Sequence, residues 1–209
     1  MAEIVLVRHG QTEWSANGRH TSRTDLPLTR VGERQAQALR WGLANRRFGL
    51  ILCSPRRRAR DTASLAGLDL ATVDDDLAEW DYGEYEGLTS RQIHDAAGND
   101  DWSLWRDGCP GGESPGQVGE RVDRVLARAT KALDEGDVAL VGHGHCLRVA
   151  GARWVGLPPS AGALFDLDTG TLCVLGHEHG RRVLQSWNAR VERPDSDQDP
   201  ASYVDAGVS

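Results

Sequence analysis

The sequence predicts an α/β protein, a three-layer sandwich whose mostly parallel sheet carries helices on both faces. Two observations carry that reading. Short apolar runs at Ile4-Val5-Leu6-Val7, Leu50-Ile51-Leu52-Cys53 and Val138-Ala139-Leu140-Val141 alternate with amphipathic stretches, as expected of strands buried on both sides. The first and last of these runs break in the same way, into Arg8-His9-Gly10 and Gly142-His143-Gly144. In open α/β sheets the crevice beyond the carboxyl ends of the strands is where ligands bind.

The chain has 209 residues, which suits one domain over 1–193, followed by a Pro-, Asp- and Ser-rich tail at 194–209 expected to be disordered. After the first strand, a polar stretch at 15–28 leads to Thr29, an N-cap candidate with Glu33 in the first turn. Ala36, Leu39, Leu43 and Ala44 then repeat at helical spacing to about Arg47. The strand at 50–53 stops at Ser54-Pro55, and Pro suits the first turn of the helix that follows. Arg56, Arg57, Arg58 and Arg60 crowd the start of that helix, where the dipole disfavours cations. They fit a solvated face, a nucleic-acid patch or, more economically, an anion that engages one or two of them, since one helical face cannot turn all four inward.

A third strand is expected over 70–73, followed by seven acids among fourteen residues at 74–87. That acidic run fits a solvated loop, a divalent-metal site, or one carboxyl turned inward as a general acid, and spacing does not choose among them. A short helix over 89–97 and a loop containing Trp, Gly and Pro over 98–112 come next. An amphipathic helix over 116–135 then places Val118, Val122, Val125, Leu126, Ala129 and Leu133 on one face. The strand at 138–142 is followed by a helix over 147–156 that Pro158-Pro159 stops. Three shorter strands at 163–167, 171–175 and 183–187 are expected to close the sheet edge.

The formal net charge of -7 argues against non-specific nucleic-acid binding, although a local arginine cluster still allows an anionic small molecule. Four scattered cysteines, Cys53, Cys109, Cys146 and Cys173, fit free thiols in a reducing compartment. No stretch is long and apolar enough to span a membrane, and the start lacks the features of a signal peptide, so a cytoplasmic location is expected. Of the seven tryptophans, Trp14, Trp80, Trp102 and Trp105 lie in or near loops, as pocket wall or as a cap on the core.

Right-handed crossovers make consecutive strand-helix-strand units parallel, so Arg8, His9, Arg58 or a neighbour, and His143 should meet at one sheet edge. Two imidazoles and two guanidiniums suit phosphoryl transfer through a phosphohistidine. A neutral ring nitrogen attacks phosphorus while guanidinium forks neutralise the oxygens. Such a site still needs a proton donor for the leaving alkoxide, which a carboxyl of the acidic run could supply.

At these residues the sequence resembles the histidine phosphatase superfamily, also called phosphoglycerate mutase-like. Leu6-Val7-Arg8-His9-Gly10-Gln11-Thr12-Glu13-Trp14 looks like its signature. Four further blocks follow in order: Gly18-Arg19 through Thr29, Ser54-Pro55 through Ala63, Leu77-Ala78-Glu79 through Gly87, and Gly142-His143-Gly144. The resemblance covers residues 3 to about 155. It implies that His9 is the phosphorylated nucleophile, that Arg8, Arg58 and His143 bind the phosphoryl group, and that Glu79 is the general acid that later activates water. It further implies that Gln11, Thr12, Ser15, Thr21 and Gly144 touch phosphate or shape the pocket, that Tyr82 faces substrate, and that no metal or other cofactor is used. Ser15 departs from the family pattern, where Asn is common.

The wording is most similar to bacterial acid phosphatases and the sedoheptulose-1,7-bisphosphatase type, implying a small phosphorylated metabolite as partner, with neither nucleic acid nor membrane. Oligomeric state is left open, a homodimer included. Between the acid and the last catalytic strand, Arg91 and Arg106 are the only bases before Gly116, which favours hydrolysis over the cofactor-dependent mutase reaction. Two other classes stay in view. One is a metal-dependent hydrolase using His143, His145, Cys146, His177 and His179. The other is a catalytically silent phospho-ligand module.

Overall fold

A computed structural model describes residues 2–97 and 101–192. The expected tail at 194–209 lies outside the described residues, as do positions 98–100 of the Trp-containing loop. The six strands are β1 (Ile4–Arg8), β2 (Phe48–Cys53), β3 (Thr72–Val73), β4 (Asp137–Gly142), β5 (Thr171–Glu178) and β6 (Arg181–Arg190). They form one sheet in the order β3-β2-β4-β1-β5-β6. β3, β2, β4 and β1 run parallel to their neighbours, whereas β5 and β6 are antiparallel additions on the β1 side.

Alternation along the central strands divides the interior into two cores. Ile4, Leu6, Val138 and Leu140 join one core with residues of α6 (Pro115–Ala132) and α7 (Gly144–Trp154). Val5, Val7, Ala139 and Val141 join the other with residues of α2 (Arg30–Leu43) and α3 (Arg57–Leu65). Helices thus cover both faces, as the continuous apolar runs require. The remaining helices are short: α1 (Glu13–Ala16), α4 (Ser90–Ala97) and α5 (Leu104–Asp107), the last within the stretch expected to be loop. Trp80 is fully buried, and Trp102 and Trp105 pack half-buried against the same core.

Parallel pairing fixes where the chain leaves the sheet. Arg8 stands opposite Gly142 in the β1–β4 register, so the next residues, His9 and His143, emerge at the same height from neighbouring strands. Gly10 then crosses the first turn of α2 at a distance that excludes a side chain. A Cβ at Gly10 would lie 2.2 Å from the carbonyl oxygen of Gly32, and one at Gly32 would lie 2.1 Å from that of Gln11. The amide of Gly10 is held by Thr62 Oγ1 (3.0 Å), whose own hydroxyl donates to the Arg58 carbonyl (2.7 Å).

Several sequence expectations are corrected. No strand forms over 163–167. A 3-10 helix occupies Pro159–Leu164, and Arg148 takes the carbonyls of Gly162 (2.9 Å) and Ala163 (3.2 Å), groups a ladder would have needed. β5 and β6 run several residues beyond the expected 171–175 and 183–187. The two-residue turn between them is made by His179 and Gly180, both at positive φ, a turn that suits a tight hairpin. The third strand shrinks to two residues. α6 starts at Pro115 under a Ser114–Gln117 capping box and ends at Ala132, where tighter turns close the helix, with the Glu135 amide donating to the Ala132 carbonyl.

Most of the acidic run is held by partners, while Asp75 and Glu84 are exposed. Asp74 and Asp76 pair with Arg124 and Arg128 of α6, and Asp81 pairs with Arg23. Glu86 accepts the amides of Ser22 and Thr24. Beneath them Arg121 makes a two-pronged contact with Glu113 (2.7 and 3.0 Å) and donates to the carbonyls of Asp76 (2.8 Å) and Ala78 (2.7 Å). Arg121→Met leaves both carbonyls without their donor and the Glu113 carboxylate with the Asp81 amide alone, so a loss of about 3 kcal/mol is expected. Urea denaturation measures it, and an unchanged midpoint would show that the clamp contributes nothing.

Candidate active site

His9 sits one residue past β1 and is still gripped by the sheet. Its amide donates to Gly142 O (3.0 Å), and its carbonyl accepts from the Gly170 amide (3.0 Å). Its ring Nδ1 lies 2.7 Å from Gly10 O. A carbonyl only accepts, so Nδ1 carries the proton and Nε2 keeps its lone pair. Burial, then the charges of Arg58 and Arg8, hold the His9 pKa well below its ordinary value, so the ring is neutral at neutral pH.

His143, the N-cap of α7, packs edge-on against His9 with ring centres 5.0 Å apart. Its Nδ1 accepts from Arg58 Nε (3.2 Å), and its Nε2 lies 2.6 Å from Ser54 Oγ. Burial foremost, together with Arg58 and His9, also lowers its pKa well below the usual range. Arg58 is the one arginine of its cluster turned fully inward, at 1 % exposure. Its Nη atoms donate to the carbonyls of Thr24, Thr21 and Ser22, which fixes the 21–24 loop over the site. Arg57 is exposed and pairs with Asp61, while its amide is capped by Asp25 (2.7 Å).

Arg8 donates through Nη1 to Leu167 O, and its Nε is buried without a protein partner. A buried donor with no acceptor is the kind of group a bound anion satisfies. Gly144 lies directly beside it: a Cβ there would stand 3.1 Å from Arg8 Cζ. Glu79, 6 % exposed, sits at the amino end of α7. Its Oε1 accepts from the amides of Trp80 (2.9 Å) and Cys146 (2.9 Å), and its Oε2 from that of His145 (3.1 Å). Oε1 thus accepts two hydrogen bonds and Oε2 one.

These groups meet at a cavity of about 250 Å³. Of the residues expected from sequence, Arg8, His9, Thr12, Ser15, Thr21, Glu79, Tyr82 and Gly144 line it. Arg58 and His143 lie behind His9 rather than on the wall. Gln11 is turned elsewhere: its side-chain oxygen accepts from Thr29 Oγ1 (2.9 Å). Thr12 and Ser15 form the capping box of α1, so the Ser15 hydroxyl is committed to the Thr12 backbone. The lining also includes His20, His145, Arg148 and Asp166, which the sequence reading did not place there. His145 carried one legible signal, its place in the first turn of the helix after Gly142-His143-Gly144; the other three carried none.

The alternative metal centre does not assemble. His177 packs on Trp154 in the edge hairpin (5.2 Å between ring centres), and no group of three or more His, Cys, Asp or Glu side chains is arranged to hold a metal among the described residues. All four cysteines are free and buried, and no described helix is long and apolar enough to cross a membrane.

Fold and pocket together define an α/β protein whose strand ends gather histidines and arginines around one cavity. Comparison with known proteins makes the class specific: residues 4–190 match the model of the histidine phosphatase superfamily (branch 1). Acid phosphatase of Mycobacterium tuberculosis is 45 % identical over 188 residues, covering 87 % of this chain and 89 % of that protein. Sedoheptulose 1,7-bisphosphatase of Saccharomyces cerevisiae is 42 % identical over 184 residues, covering 73 % of this chain and 67 % of the yeast protein. The solved structure of an open reading frame product of Mycobacterium tuberculosis superposes with a TM-score of 0.86 at 43 % identity, covering 90 % of this chain and 98 % of that one. The chain belongs to the histidine phosphatase superfamily and is a phosphatase of that superfamily.

Burial of neutral histidines has a thermodynamic sign. His9, His20, His143 and His145 all have pKa values lowered in the folded state, with burial the first cause of each. Below about pH 6.5 the unfolded chain binds protons that the native state refuses, so stability falls as pH falls, by about 1.4 kcal/mol per pH unit for each such histidine. Urea denaturation between pH 8 and 4.5 should give a plateau above about 7 and a steep decline below it. A flat profile would mean that these rings are protonated in the native state.

Proposed function

We propose that the protein hydrolyses phosphomonoesters of small sugar-like metabolites, sugar phosphates or bisphosphates, without a metal and through a phosphohistidine on His9. The observation that carries this reading is the bond from His9 Nδ1 to Gly10 O, which leaves Nε2 of a neutral, buried ring as the nucleophile. Nε2 attacks phosphorus and the P–O bond to the leaving group breaks. A proton on Glu79 passes to that departing oxygen, whose unassisted loss as alkoxide is slow. In the second half Glu79, now carboxylate, takes a proton from water as the water oxygen attacks phosphorus. The N–P bond breaks, releasing phosphate and restoring both groups.

Arg8, whose buried Nε has no protein partner, neutralises the equatorial oxygens directly as charge spreads over them, while Arg58, set behind His9 with its donors on His143 and the 21–24 carbonyls, adds its charge at longer range. Both ring nitrogens of His143 are engaged with Arg58 and Ser54, so its first task is to hold Arg58. A direct contact to the phosphoryl group requires one of those bonds to be exchanged. Sugar phosphates are the favoured class because a similar protein is named for a sugar bisphosphate, and because the cavity wall beyond Glu79 is polar and aromatic. Hydrolysis rather than mutase chemistry is supported by the Trp-containing segment. There Arg106 is turned to Asp107 and Asp101, and Arg91 is exposed, so neither base reaches the cavity to grip a substrate carboxylate.

His9→Ala is expected to lower phosphomonoester turnover at least about a thousandfold, with chelator present throughout. Wild type quenched during turnover should yield a phosphoenzyme labile to acid and stable to alkali; retained turnover in the variant removes His9 from the role. Glu79→Gln should slow alkyl phosphates by about a hundredfold and aryl phosphates far less, because an aryl oxide departs with little protonation. Equal slowing of both would mean that the proton comes from elsewhere.

A further inference from the structure

Two imidazoles on the cavity wall have no part in the phosphoryl chemistry above. The Tyr82 hydroxyl lies 2.6 Å from His145 Nδ1. The phenol has no other partner among the described residues and, with burial pushing its pKa well above its ordinary value, stays protonated. With Nδ1 the one acceptor in its reach among the described residues, the phenol is assigned as the donor, which leaves the proton of the neutral His145 ring on Nε2. His20 has the complementary tautomer. Its Nδ1 lies 2.9 Å from the carbonyl oxygen of Leu88, so Nδ1 carries the proton and Nε2 is a bare acceptor.

Neither Nε2 has a protein partner among the described residues, and neither is among the sealed, unpartnered atoms of the interior, while both residues line the cavity. The rings are stacked, 7° from parallel with centres 5.9 Å apart. Their planes are set by neighbours: Tyr82 stands edge-on to His20 at 4.7 Å, and Trp105 edge-on to His145 at 5.1 Å. Arg148 lies over Trp105 at 4.5 Å and steadies that ring in turn.

We infer that His20 and His145 form a hydroxyl-reading subsite, in which one hydroxyl of a polyhydroxylated leaving group donates to His20 Nε2 and a neighbouring one accepts from His145 Nε2–H. The assignment rests on the phosphatase reading and deepens it, making the leaving group a sugar or polyol chain rather than an aryl or plain alkyl group. A fixed donor beside a fixed acceptor matches hydroxyls, each of which both gives and takes a hydrogen bond. An apolar chain in the same place would leave both nitrogens desolvated and unpaired, and sites built this way discriminate strongly. Tyr82 acts as a positioning residue, since it sets which His145 nitrogen carries the proton.

The test compares kcat/KM for sorbitol 6-phosphate with that for n-hexyl phosphate, in wild type, His20→Leu, His145→Phe and His145→Gln. Circular dichroism confirms folding, and p-nitrophenyl phosphate serves as a general phosphatase substrate. The wild-type ratio should be at least about 30, and it should fall by about tenfold or more in His20→Leu and His145→Phe. His145→Gln, whose amide nitrogen reaches the place of Nε2, should recover most of it. If His145→Phe does not fold, the Gln and His20 variants decide. Wild type that hydrolyses p-nitrophenyl phosphate with a ratio near one, or with a ratio the variants leave unchanged, overturns the subsite alone. Wild type that turns over no phosphomonoester removes the phosphatase reading and the subsite together.

Discussion

The pairing of β1 with β4 is the constraint on which the rest depends. Opposing Arg8 to Gly142 sets two chain segments, more than 130 residues apart in sequence, to leave the sheet side by side. The following histidine of each then stands ring against ring. A slip of one residue would reverse every side chain on β1, exchanging the two cores; the buried Ile4, Val5, Leu6 and Val7 forbid it. The hydrophobic packing of the sheet and the spacing of the imidazoles are thus consequences of one register.

Electrostatics at the site follow from burial. Burial foremost, and then the neighbouring guanidinium charges, make protonation of the His9 and His143 rings costly and keep both neutral. The carboxyl group of Glu79 arrives from a separate segment, tethered by main-chain amides at the head of α7 and braced from below by Arg121 and Glu113. The proposed proton donor and nucleophile are thus held by elements from different parts of the chain, an arrangement that keeps their separation fixed.

Much of this was legible in the sequence where a residue's role is set by local pattern. Apolar runs ending in His-Gly marked the two strands that carry His9 and His143, and the helical spacing of α2 and α6 marked the layers that cover them. Legibility failed where a tertiary partner decides. Arg148 claims the carbonyls of Gly162 and Ala163, so a stretch that reads as a strand becomes a 3-10 turn. Which of seven acids turns inward depends on amides supplied by a helix 65 residues later, and only the family resemblance pointed to Glu79. His20 gave no local sign, because its place in the cavity is fixed by the Leu88 carbonyl and the Tyr82 ring. Gln11, by contrast, sits inside the signature yet is drawn to Thr29 at the cap of α2.

The outer margins of the sheet bear on how the molecule behaves in a crowded solution. One margin, β3, is only two residues long, too brief to template another chain. The other, β6, carries Arg181, Arg182 and Arg190, and its pairing with β5 is interrupted by register shifts near Asn188, a residue at positive φ. Short, charged or kinked margins repel strand addition. Both margins of this open six-stranded sheet therefore carry features that disfavour the addition of a further strand.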